Sequence, residues 1–243
     1  QADTLQVARR ARSPRPGPAA DGGAIALLSR LPMFRGTPRE RLAALARQAF
    51  VVQAPAGSAI VRRGERVPGL VVVAEGLAKL ALKGESERVL RFAGPGETFG
   101  EAALVLGEPL PIDAVAVTDT SLVVVPTVPL LALFDRDRRF ARELLATLCQ
   151  RLQAMVADFE SATLHDAGER LAAYLGSLGE QTVCLPAPKA VIASRLGMTK
   201  ETLSRLLRTF MDRGLIEVAK REIRILDRAR LSAAARSSAS SRA

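Results

Sequence analysis

Tryptophan is absent from this chain, and Tyr174 and His165 are the only tyrosine and histidine among its 243 residues. Proteins that bind single strands or RNA usually stack bases on aromatic rings, so an aromatic content of 4% points away from them. One histidine, no paired cysteines and no glycine-rich phosphate loop leave few catalytic constellations, and an enzyme is not expected. Cys149 and Cys184 are too few and too far apart for a Cys-x-x-Cys site or a disulfide framework, and two buried thiols are expected. No apolar run approaches the roughly 18 residues that cross a bilayer. The longest uncharged stretch, Thr120 to Phe134, contains two prolines. The N-terminus holds Arg, Pro, Gly and Ala in place of a basic patch followed by an apolar core, so a cytoplasmic location is expected.

What is present suffices for a sizeable core: 48% of residues are hydrophobic and 25% charged, enough for one large or two modest domains. The formal charge is +10, unevenly spread. Residues 167–243 carry 14 Lys and Arg against 7 Asp and Glu, whereas residues 24–166 carry 17 against 16. Charge gathered in one domain is the expected footprint of a polyanion partner.

Along the chain, residues 1–23 lack periodicity and are broken by Pro14, Pro16, Gly17 and Pro18, which predicts a disordered basic tail; the Ser- and Ala-rich end, 235–243, reads alike. Ile25, Leu27, Leu28 and Leu31, then Leu42, Leu45 and Ala46, predict two short helices around the Pro32-Met-Phe34 turn. From Phe50 to about Pro126 the period changes to short runs such as Leu70-Val-Val-Val and Leu122-Val-Val-Val, punctuated by glycines. That pattern predicts an antiparallel barrel or double-sheet roll. The helical period then returns. Ala141, Leu145, Leu148, Leu152, Met155, Phe159 and Ala162 alternate in steps of four and three, an apolar seam repeating every seven residues over three heptads, which predicts a coiled-coil dimer helix.

The stretch from Ala190 to Phe210 reads as a helix, a tight turn at Gly197 and a second helix. Val191, Ile192 and Leu196, then Leu203, Leu206, Leu207 and Phe210, would bury one face of each. Thr199, Lys200, Glu201, Ser204, Arg205 and Arg208 remain outward, with Lys189 at the start of the first helix, and are the candidate DNA-binding residues. An Arg can bond guanine O6 and N7 together, a carboxylate can accept from a cytosine amino group, and a hydroxyl suits either role. Gly214 would end the second helix, and Leu215–Val218 with Glu222–Leu226 form a hairpin, completing a winged module.

In this order the parts resemble the CRP/FNR family of bacterial transcription regulators over about residues 25–234. The resemblance rests on the glycine-spaced roll, on Pro95-Gly-Glu-Thr-Phe-Gly-Glu-Ala-Ala-Leu104 at the family's effector cassette (Phe99, Gly100, Glu101, Ala102 and Leu104), on the long helix and on the winged module. It implies an α+β chain: a cyclic-nucleotide-binding-like double-stranded β-roll (jelly roll) over 24–134, a dimerisation helix over 135–166 and a winged helix-turn-helix over 167–234. The Glu201-x-x-Ser204-Arg205 arrangement is similar to the FNR and Dnr side of the family. That likeness implies a homodimer on a palindrome of TTGAT- or TTGAC-like halves, with Arg205 on a guanine, Ser204 on a thymine, Glu201 on a base amino group, and RNA polymerase as a further partner.

Cyclic AMP is argued against, because the segment where the family places its phosphate-binding Arg and Ser reads Leu106-Gly-Glu-Pro-Leu-Pro-Ile-Asp-Ala114, with no Arg and two carboxylates. An iron-sulfur cluster needs four thiolates, and the chain has two cysteines. A haem, as in the Dnr-type regulators, suits an apolar roll, but its axial ligand would have to come from His165 or Met33, and both read more simply as structural residues. An effector-free regulator is a further reading. The competing class is a haem or redox sensor acting mainly through a protein partner. Cys149 adjoins the seam, where oxidation could cross-link two subunits, but a packed thiol is the simpler reading.

Overall fold

The computed structural model of the chain describes residues 20–179 and 181–235, so the two tails expected at 1–23 and 235–243 lie mostly outside the described residues. Where they overlap, there is a difference. Helix α1 (Ala20–Arg30) starts ahead of Ala24 and runs through Gly22 and Gly23. Glycine costs about 1 kcal/mol in a helix interior, and the burial of Ala24, Leu28 and Leu31 outweighs it. The described residues form two compact units: 20–86 with Leu90–Leu152, and Glu87–Val89 with 153–179 and 181–235.

The first unit is built on eight short strands, β1 (Phe50–Ala54), β2 (Ala59–Val61), β3 (Gly69–Glu75), β4 (Ala78–Lys83), β5 (Glu87–Ala93), β6 (Thr98–Phe99), β7 (Asp113–Ala116) and β8 (Thr120–Pro126), of which only the first three residues of β5, Glu87–Val89, group with the second unit. They form two four-stranded sheets, ordered β1-β8-β3-β6 and β2-β7-β4-β5. This is the expected double-stranded roll. Val71 and Val73 of β3 and Leu122 and Val124 of β8 enter an inner cluster with Ile60, Leu80 and Ala114 from the other sheet. Their neighbours Leu70, Val72, Val123 and Val125 point the opposite way, into a second cluster with α1, α2 (Arg39–Gln48) and α4 (Thr127–Arg136). Strands buried on both faces need no polar alternation, which is why they read as unbroken valine runs. Strand β7 escapes sequence reading because its buried positions are Ala114 and Ala116, too small to stand out.

Helix α5 (Arg138–Leu164) begins at Asp137, whose Oδ1 accepts from the backbone N–H of Arg139 at 3.0 Å and of Phe140 at 3.1 Å. Phe140 stacks on Phe34 with ring centroids 5.1 Å apart, and Leu144 is buried one turn further on. In the second unit, α6 (Ala167–Ser177) opens with a reciprocal cap between Asp166 and Glu169, each side chain bonding the other's backbone N–H at 2.9 Å. Then come β9 (Thr182–Cys184), α7 (Lys189–Arg195), α8 (Lys200–Asp212), β10 (Ile216–Ala219), β11 (Glu222–Ile225) and α9 (Arg228–Ala234), with the strands ordered β10-β11-β9. Helix α9 leaves little periodic signal, since Leu231 is its single buried residue.

The two thiols differ from expectation: Cys149 and Cys184 are both exposed. Cys184 alternates in β9 with the buried Val183 and Leu185, and so faces outward. Cys149 lies away from the face of α5 that buries Phe140 and Leu144. No helix among the described residues is long and apolar enough to cross a membrane.

Candidate nucleic-acid interface

The two helices of the motif are placed by their apolar faces. Ile192, Ala193 and Leu196 are buried on one side, Leu203, Leu207 and Phe210 on the other. Between them Gly197 takes φ +65°, a left-handed conformation that an L side chain adopts only with strain, and it lets α7 end and α8 start within four residues. Thr199 caps α8, its hydroxyl accepting from the N–H of Thr202 at 3.2 Å. Gly214, at φ +67°, follows the far end.

Burying every third and fourth residue of α8 turns the remainder outward. Lys200, Glu201, Ser204, Arg205 and Arg208 are all exposed, and Glu201, Ser204, Arg205 and Arg208 share a single stripe, with pairs three apart (201 and 204, 205 and 208) and four apart (201 and 205, 204 and 208). Thr199 is exposed as well, but its hydroxyl already serves the cap. Lys189 is half-buried at the first turn of α7. The structure therefore brings five of the seven expected residues onto one exposed helix surface, with Thr199 at its start and Lys189 on the neighbouring helix.

Sequence reading missed what braces this surface. Arg170 of α6 donates from Nε to the carbonyl of Leu196 at 2.9 Å and from Nη1 to the carbonyl of His165 at 2.6 Å. Arg195 holds both carboxylate oxygens of Asp158, at 2.9 and 2.8 Å. Arg221 donates to the carbonyl of Leu185 at 2.9 Å. Each of these guanidinium groups bridges separate segments of the second unit. Spacing in the sequence gives no sign of it, since their partners lie 26, 37 and 36 residues away.

The five cassette residues separate in the first unit. Phe99 joins the inner cluster and Leu104 the outer one, Ala102 faces solvent, and Gly100 supplies the left-handed turn before α3 (Glu101–Leu106). Only Glu101 presents a polar group inside. It is 3% exposed; Oε2 accepts from Arg151 Nη1, while Oε1 is buried without a hydrogen-bond partner among the described residues. Arg151 also donates to the carbonyl and hydroxyl of Thr98, both at 2.8 Å. Arg91 donates to the same carbonyl; burial, then the neighbouring Arg151, holds its pKa below the usual value, against the pull of Glu101 and Glu97. Both guanidinium groups are thus taken up by protein oxygens. The following segment offers Glu108 and Asp113 and no cation, which does not fit a cyclic phosphate.

A haem fares no better. Among the described residues the roll's inner cluster contains no His, Cys, Met or Tyr. Met33 is buried in the outer helix cluster, and His165 belongs to the second unit, where it is half-buried with Nδ1 enclosed. Its backbone carbonyl accepts from Arg170. No group of three or more His, Cys, Asp or Glu comes together among the described residues.

The expected dimer seam stands outward on α5: Leu145, Leu152, Met155 and Phe159 are 60%, 62%, 60% and 73% exposed. Ala162 is exposed, and Ala141 and Leu148 are half-buried.

Residues 51–137 match the family model described as a cyclic nucleotide-binding domain, and residues 169–234 match the Crp-like helix-turn-helix domain. The chain is 30% identical over 181 residues to the cyclic AMP receptor protein of Thermus thermophilus, covering 73% of this chain and 84% of that one. It is 25% identical over 221 residues to a CRP-like cAMP-activated global transcriptional regulator of Mycobacterium tuberculosis, covering 86% and 99%. In three dimensions it is similar to FixK2 from Bradyrhizobium japonicum, with TM-score 0.69, 25% identity and coverage of 75% and 95%. With a roll, a long helix and a basic winged module in this order, the chain belongs to the CRP/FNR family of DNA-binding, non-catalytic transcription regulators.

Proposed function

We propose that two copies of this chain pair along α5 and bind a palindromic duplex of TTGAT- or TTGAC-like halves, on the FNR side of the family. The observation that carries this reading is the coincidence of two exposed surfaces: the heptad stripe of α5, with four large apolar side chains at least 60% exposed, and the Glu201, Ser204 and Arg205 stripe of α8. A stripe repeating every seven residues is complementary to itself, so a second copy is the natural occupant. Two-fold pairing then presents two copies of α8 to half-sites about 34 Å apart. Arg205 bonds a guanine, Ser204 contacts the adjoining thymine and Glu201 accepts from a base amino group.

Regulation in this reading is a shift between two dimer arrangements, which an effector produces only by binding one of them better. RNA polymerase is the partner through which a bound dimer acts. The test is equilibrium binding of the full chain to a palindromic duplex, to scrambled DNA and to duplexes changed one base at a time. Arg205→Ala is expected to cost about 1–3 kcal/mol on the palindrome and to relax selection at one base pair. Equal loss on every sequence refutes the assignment of Arg205.

A further inference from the structure

Within the second unit a cavity of about 220 Å³ lies among the last turns of α5, helix α6 and the end of α7. Its lining brings together three guanidinium groups, those of Arg88, Arg170 and Arg195, and a single carboxylate, that of Asp158. Arg195 is paired with that carboxylate, and Arg170 bonds only neutral carbonyls, so two positive charges in the wall lack a counter-charge among the lining residues. The crowding has a cost. Burial, then the neighbouring Arg195 and Arg170, hold the Arg88 guanidinium below its usual pKa, against the opposing pull of Asp158.

Tyr174 lines the same cavity. Its hydroxyl is buried and has no hydrogen-bond partner among the described residues. Burial pushes its pKa up to about 12, against the pull of Arg195, so the group is a protonated donor at neutral pH. A buried donor left without an acceptor costs free energy, as do like charges held together. One kind of ligand relieves both.

We propose that this cavity binds a compact oxyanion, inorganic phosphate or a small phosphomonoester, clasped by Arg88, Arg170 and Arg195, with Tyr174 donating to one of its oxygens. A dianion matches the two uncompensated charges, and guanidinium geometry suits tetrahedral oxyanions. The cavity is smaller than the roughly 300–1,000 Å³ that encloses drug-sized ligands, so it takes the phosphate group with a small substituent and not a whole nucleotide. Asp158 is the internal competitor, because the anion must share Arg195 with it. Arg195 and Leu196 lie immediately before the Gly197 turn, so the anion would tie the end of α5 to the entrance of the recognition helix.

The molecule carries its own probe. With one tyrosine and no tryptophan, the intrinsic fluorescence of the full chain reports Tyr174 alone. Titration at constant ionic strength with inorganic phosphate and with glycerol phosphate, against a chloride control, should give a saturable fluorescence change for both phosphates and none for chloride. Calorimetric titration of variants should show Tyr174→Phe weakening phosphate about tenfold, the loss of one hydrogen bond to a charged group. Arg88→Gln should weaken it further, and Asp158→Asn should tighten it. No saturable response without DNA, or a response indifferent to Tyr174→Phe and Asp158→Asn, overturns the proposal. Should Arg88→Gln fold poorly, those two near-isosteric changes still decide it.

A DNA backbone phosphate is the other source of the same chemistry. It predicts no response to free phosphate in the absence of DNA, and Tyr174→Phe weakening binding equally on every sequence. That outcome gives the pocket to DNA and removes the small anion. The titration needs neither a dimer nor a specific operator, so it stands or falls apart from the proposed DNA site.

Discussion

Tyr174 joins burial, charge and spectroscopy in a single side chain. Burial disfavours its phenolate and Arg195 favours it, and burial dominates, leaving the folded pKa near 12 against 10 in the unfolded chain. Because the folded value is raised, this contribution to stability is complete below pH 10 and is lost as the pH climbs towards 12. An absorbance titration of the phenolate should therefore give a midpoint well above 10 in the native protein and close to 10 in denaturant. A native midpoint at 10 would mean that the hydroxyl is open to water. At this scale the sequence reveals some residues and hides others. The outward stripe of α8 is legible because its buried residues recur at helical spacing over a single segment. The environments of Glu101 and Tyr174 are not legible, because Arg151 and Arg195, which define them, come from distant segments.

Helix α5 carries two apolar stripes with different duties. Phe140 and Leu144 pack against its own unit, whereas the heptad positions from Leu145 to Phe159 remain largely exposed. A single amphipathic face packing on the chain's own roll would have buried the heptad residues; instead the two sets lie one residue out of phase. On the proposed dimer, Leu152→Asp combined with Phe159→Asp places charges at the centre of the seam. Sedimentation equilibrium should show monomer at concentrations where the parent is dimeric, palindrome binding should fall to the level of scrambled DNA, and helix content by circular dichroism should be unchanged. Dimers of undiminished stability would show that another surface joins the copies. Elements with strong periodicity, such as α5, α8 and the β10–β11 hairpin, are readable in the sequence. Strand β7 and helix α9 are not, since alanines or one leucine suffice to seat them once their surroundings exist.

Across the whole molecule, the excess of basic charge lies beyond residue 166, in the half that contains the winged module. Attraction to DNA phosphates releases counterions, so affinity must fall with salt. If Lys189, Lys200 and Arg208 of each copy meet phosphates, a dimer neutralises about six, and the slope of log affinity against log salt should be about −5 on B-form DNA. Lys200→Ala should make that slope shallower by about 2 for the dimer while leaving sequence preference intact. A slope near zero contradicts the phosphate roles, whatever the base preference.

Local pattern determined the order of elements, the family, the exposed stripe of α8 and the heptad repeat, because periods of 2, 3.6 and 3.5 residues are written within single segments. Tertiary structure alone decided that Glu101 is closed off by Arg151, that the two cysteines face outward, and that three arginines converge around the lone tyrosine. The physical reason is that burial and charge pairing depend on which distant segments meet, and these meetings follow from the packing of whole elements.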